Sequence, residues 1–199
     1  MNTYAPLKGW PAAKNIDHLT RLVIRHLDGK ISSPKVVETP GHPRTNAAIR
    51  SSLTDLNWFE LMTTRFQHAQ HGGSESRRAY IIGFALPAAA QEFAEDISHA
   101  LGEDVLVRLF PPEGGEDVEP VPVERKDGTP SEWLGAFDRE VNIHPFYGKH
   151  DSLNRELDEA WGIQIISTRW TEAANDRDID FFHRVENAVR NGARERRAR

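Results

Sequence analysis

No cysteine occurs in this chain, which excludes disulfides, thiolate metal sites and cysteine nucleophiles. No Asn-x-Ser/Thr acceptor is present either, and no apolar stretch approaches the roughly 18 residues that a transmembrane helix needs. The opening "MNTYAPLKGWPAAKN" lacks the basic-then-apolar pattern of a secretory signal, so the chain is expected to be neither inserted nor exported, and cytoplasmic. The phosphate-binding "GxxxxGK[ST]", the nucleophile elbow "GxSxG", the zinc motif "HExxH" and the EF-hand loop are all missing, and no internal repeat appears. A formal charge of −5 offers no general attraction to nucleic acid, so such binding would need a local basic patch.

What is present is a foldable chain. At 199 residues, with 38% hydrophobic residues and five tryptophans, it can bury a real core in water. The pattern divides it into residues 1–110, with helices and a βαβ unit, an acidic proline-rich loop or linker at 111–130, and a helix-strand-helix segment at 131–199. Together these are expected to form one compact domain.

The stretch "NIDHLTRLVIRHLDG" places Ile16, Leu19, Leu22, Val23 and Leu27 on one helical stripe, with Gly29 as a stop. Its other face gathers His18, Arg21 and Arg25, either as a solvated surface or as a docking face for phosphate or an acidic partner. Residues 31–46 are punctuated by prolines and read as loop, with one short strand at 35–38. A second helical period runs over residues 54–70 through Trp58, Phe59, Met62, Phe66 and Ala69.

That helix would end in "FQHAQHGGSESRR", with His68 and His71 in its last turn. A metal role needs a third ligand, and Glu60 would lie about 12 Å from His68 at 1.5 Å per residue. Histidines at a helix C-terminus are in any case stabilised by its negative end. The following loop could cup an anion through backbone amides, Arg77 and Arg78.

The clearest unit is at residues 79–110. Residues 80–86 are apolar on both faces, Pro87 opens a helix that Gly102 closes, and residues 104–110 form a second strand. The expected fold is therefore α/β or α+β, a mixed sheet containing one parallel βαβ unit flanked by amphipathic helices. "LPAAA" after the first strand argues against a dinucleotide site.

In "PPEGGEDVEPVPVERKDGTP", Asp117, Glu124 and Lys126 imitate the carboxylate-lysine set of Mg²⁺-dependent nucleases, although Pro120 and Pro122 should interrupt the strands such a site requires. "SEWLGAFDREV" reads as a short helix capped by Ser131. "NIHPFYGKHD" carries His144, Tyr147, Lys149 and His150, which could serve acid–base cleavage of phosphodiesters if the two histidines converged, or could simply anchor a loop. A helix over "DSLNRELDEAW" and a strand over "GIQIIST" follow. The last helix, capped by Asn175, should fray after Gly192 and leave Arg194, Arg196, Arg197 and Arg199 as a free basic tail.

Two readings result. One is a non-catalytic binding or regulatory protein that engages a protein or nucleic acid through His18, Arg21, Arg25, Arg77, Arg78 and the arginine tail. The other is a small phosphodiesterase or nuclease that uses His144, Lys149 and His150, or Asp117 and Glu124. The first needs no cofactor; the second would need Mg²⁺ if the carboxylate set is used. Neither involves a membrane.

Overall fold

A computed structural model describes residues 10, 12–31, 47–72, 74–114, 118–170 and 177–198, apart from the side chains of residues 71, 72 and 177–179. The expected strand at 35–38 and the Asn175 cap lie outside the described residues.

Helix α1 spans Ile16–Leu27, as its stripe expects. Asn15 caps it by accepting a hydrogen bond from the His18 amide at 2.9 Å, and Gly29 follows in the left-handed conformation at φ 71°. Helix α2 covers Ala47–Trp58 and stops there, so the helix expected over 54–70 does not form. Strands β1 (Met62–Gln67), β2 (Gln70–Gly72) and β3 (Glu75–Arg77) take its place. The reversal is local chemistry. Asn57 donates from Nδ2 to the Leu53 carbonyl at 2.8 Å and to Thr63 Oγ1 at 2.7 Å, and its Oδ1 accepts from the Thr63 amide at 3.3 Å. With Glu60 at φ 73°, the chain folds back into a strand whose two threonines suit extended backbone.

The next unit matches its pattern more closely: β4 (Tyr80–Ala85), α3 (Pro87–Leu101) and β5 (Val105–Phe110). After it come β6 (Val121–Lys126), β7 (Thr129–Leu134), α4 (Arg139–Asn142), α5 (Asp151–Glu159), β8 (Trp161–Ser167) and α6 (Arg177–Ala198).

The fold is α+β. One sheet has the order β1-β4-β8-β5, and every neighbouring pair in it is antiparallel. Because β4 and β5 both run opposite to β8, they run parallel to each other, joined by the crossover helix α3. The βαβ unit is thus split: β8 lies between its two strands, which never touch. Gly162, Ile163, Gln164, Ile165 and Ile166 are all buried, and a strand apolar on both faces belongs in the middle of a sheet.

The second sheet, β2-β3-β6-β7, corrects the linker expectation. β6 and β7 form a hairpin through Asp127 (φ 51°) and Gly128 (φ 78°), the left-handed pair that a tight Asp-Gly turn requires. Pro122 lies beyond the β3 pairing, which reaches only residues 124–126, and Pro130 sits on the edge strand, so neither removes a needed amide. Ser131 and Trp133 are strand residues; the expected helix shrinks to α4, whose cap is Asp138.

Trp10 through Val189 contribute to one continuous core. Phe137 stacks on Phe110 at 5.9 Å and Phe146 lies 5.8 Å from Phe84, so the segment after β7 covers one face of the first sheet. Helix α3 lies along β5, β8 and β4, and α6 packs against α3 and α2. No helix among the described residues is long and apolar enough to cross a membrane.

Candidate anion-binding site

The two sheets meet where β3 passes into β4. Arg78 donates its amide to the Val123 carbonyl at 2.8 Å, and Gln67 Nε2 donates to the Arg78 carbonyl at 3.2 Å. These bonds fix the Arg78 backbone against β6. On β6, strand alternation sends consecutive side chains to opposite faces: Glu124 pairs in register with Arg77, and Arg125 with Ser76. Glu124 accordingly meets Arg77, with Oε2 2.9 Å from Nε, and Arg125 turns the other way.

There it meets Trp170, three residues beyond the end of β8. The Arg125 guanidinium carbon lies 4.1 Å from the indole centroid and that of Arg78 lies 4.4 Å from the same centroid. The two cations are therefore separated by no more than twice that distance. At about 8 Å and an effective dielectric near 20, their repulsion is roughly 2 kcal/mol, comparable to what two half-exposed cation–π contacts return. Burial, and after it the charge of Arg125, push the Arg78 guanidinium below its ordinary pKa. The Nε atoms of Arg78 and Arg125 and Nε1 of Trp170 are buried without a hydrogen-bond partner among the described residues. Among the described residues no carboxylate forms an ion pair with either arginine.

Desolvated donors with no acceptor and paired charges of one sign are the complement of an anion. Sequence reasoning pointed to Arg78 but overlooked Arg125, flanked by the more conspicuous Glu124 and Lys126, and Trp170, which lies in a loop.

The other candidate residues do not assemble in this way. Arg21 pairs with Asp17 at 3.0 Å, His18 is half-buried and Arg25 is exposed. Arg77 is held by Glu124. The arginine tail is helical: α6 continues through Gly192, and Arg196 binds Asp96 at 2.7 Å and Glu92 at 3.1 Å, leaving Arg194 and Arg197 exposed. Arg199 lies outside the described residues, as does Asp117.

His144 sits 3.6 Å from Glu140, its ring 5.3 Å from that of Tyr147. Tyr147 donates its hydroxyl to Asp158, and burial followed by that carboxylate raises its pKa. His150 precedes α5, and no described contact joins it to His144 or Lys149. His68 is exposed between β1 and β2, not on a helix, and the side chain of His71 is outside the described set. Among the described residues no three His, Asp or Glu side chains form a group able to hold a metal ion.

Residues 7–187 match the family model described as "Domain of unknown function (DUF6919)". The chain belongs to that family. The match covers both sheets and therefore Arg78, Arg125 and Trp170, but stops before the arginine-rich end of α6. No curated protein matches the chain.

Proposed function

We propose that this chain is a cytoplasmic, non-catalytic binding or regulatory protein whose Arg78–Trp170–Arg125 site receives an anionic group of its partner. The observation that carries this reading is the meeting of two guanidinium groups on one indole, with three buried N–H donors and no described acceptor. A site that only stabilised the fold would gain from a carboxylate at that point, as Asp104 serves Arg169 and Arg184 elsewhere in this molecule.

An acidic protein segment suits the surroundings better than a nucleic-acid backbone. The net charge is −5, which gives a long polyanion no general attraction to this chain. The Trp170 ring, which could otherwise stack on a base, is already engaged by two guanidinium groups.

Calorimetric titration with acidic peptides at low salt tests the reading. Arg78→Ala and Arg125→Ala should each weaken binding at least tenfold while Arg21→Ala leaves it unchanged, because the loss of a charge-assisted hydrogen bond is worth about that factor or more. Equal binding by all three variants would remove this site from consideration.

A further inference from the structure

We infer that the group the site takes is a phosphate monoester dianion. This rests on the anion-binding reading above and narrows it to one chemistry. The site presents two formal positive charges and three buried N–H donors from three separate side chains. A carboxylate brings one charge and two oxygens in one plane, which a single guanidinium fork satisfies. A phosphodiester also brings one charge, and its two ester oxygens are bonded away. A monoester brings close to two charges near neutral pH, matching the two guanidiniums, and three oxygens in a tetrahedral fan, more acceptors than either alternative offers.

Arginine in place of lysine matters for the same reason. Its planar fork directs N–H groups at fixed angles while its face rests on an aromatic ring, and both guanidiniums here rest on Trp170. The indole holds the cations in position before the ligand arrives and supplies the third donor from Nε1. Since Arg78 is already partly desolvated, its bond to an incoming anion is less screened than one at the open surface.

The test uses the full chain and calorimetry with four probes: inorganic phosphate, a short phosphoserine peptide, the same peptide with glutamate in place of phosphoserine, and a single-stranded oligonucleotide without terminal phosphates. The phosphoserine peptide is expected to bind at least tenfold more tightly than the glutamate peptide, and Arg78→Ala or Arg125→Ala should erase that preference. Phosphate competing as strongly as the phosphopeptide would identify a free phosphate ester as the source; a phosphopeptide advantage would identify a phosphorylated chain. Both outcomes support the assignment.

If the glutamate and phosphoserine peptides bind equally and both depend on Arg78, the assignment fails while the anion-binding reading stands. The assignment fails in the same way if the oligonucleotide outcompetes the phosphopeptide. If no probe binds, both readings fail. Arg125→Lys, which keeps the charge and the fold but not the fork, is expected to lose the phosphoserine preference, and its retention would also overturn the assignment.

Discussion

The guanidinium of Arg196 meets the carboxylate of Asp96 edge to edge, Nη1 to Oδ1 at 2.7 Å and Nη2 to Oδ2 at 2.9 Å. Gly192, one turn earlier on α6, rests so closely against the same carboxylate that no Cβ fits there without displacing it. The arginine-rich end is therefore a helix clamped to α3, and the apolar stripe was never the whole reason for it to stay folded. Truncation after Asn191 should lower stability by about 1 kcal/mol, the usual scale of a well-aligned, partly buried pair. In chemical denaturation Arg196→Ala should reproduce most of that loss. In a Gly192→Ala background, where Asp96 must swing away, Arg196→Ala should have little further effect; an undiminished loss there would mean the clamp is not formed as described.

Between α2 and α6, Glu186 and Asp55 share Arg190, and Ser52 donates to Glu186 Oε2 at 2.7 Å. Burial raises the pKa of Asp55, and its hydrogen bond to Glu186 and the charge of Glu186 add to this. Burial also pushes Glu186 upward, but the bonds from Ser52 and Asp55 and the charge of Arg190 outweigh it and hold Glu186 below its ordinary value. The signs are opposite. Glu186 contributes stability that is present above its unfolded pKa and lost as pH falls through its depressed folded value. For Asp55 the folded state favours the proton, so its contribution is lost as pH rises through the raised value. The stability advantage of wild type over Glu186→Gln should accordingly shrink from pH 7 to pH 3. Asp55→Asn should gain on wild type as pH rises over the same range. Two pH-independent differences would show the carboxylates to be uncoupled.

How far the sequence could be read depended on whether a pattern had one solution. The elements of residues 80–110 did: a doubly apolar strand, Pro87 at a helix start and Gly102 at its end admit little else, and Phe93 is only 3% exposed as the stripe requires. The direct parallel pairing expected of the two strands does not form, because β8 lies between them. Residues 58–69 had two, because Met62, Thr64 and Phe66 alternate like a strand while Trp58, Met62, Phe66 and Ala69 step like a helix. Asn57 and Glu60 decided between them through contacts that periodicity cannot show. In 121–134 the prolines drew more weight than the Asp127–Gly128 turn, although the register places them where no amide is needed. Arg78 could be picked out as half of a basic pair. Arg125 and Trp170 could not, since only the pairing of β3 with β6 and the turn after β8 bring them to it.

Phe93→Ala should remove roughly 3–5 kcal/mol, as expected for truncating a buried aromatic. Thermal and urea denaturation give the value, and a loss under about 1 kcal/mol would contradict the packing of α3 on the sheet.

Gly162 in β8 faces the ring of Phe137, and a methyl group there would overlap it. Because Phe137 also stacks on Phe110, the ring cannot yield without breaking that contact. Gly162→Ala should cost about 1–3 kcal/mol through overpacking. Adding Phe137→Leu should recover part of the loss, and a double mutant no better than the single would place the strain elsewhere.

The role of Trp170 can be separated from that of simple charge. The ring attracts the guanidiniums through its quadrupole, strongest for Trp, weaker for Phe and absent for Leu, and it contributes the Nε1 donor. Since none of these substitutions changes net charge, a site that worked only through its electrostatic field would treat them alike. If the indole holds the fork donors in place, acidic-peptide affinity should fall in the order wild type, Trp170→Phe, Trp170→Leu, with the first step reflecting mainly the lost donor and the second the lost aromatic face. Trp170 is half-exposed, so the fold should survive both changes, which far-UV circular dichroism can verify. Equal affinities across the series would reduce Trp170 to a spacer and leave the two arginines to bind as independent charges.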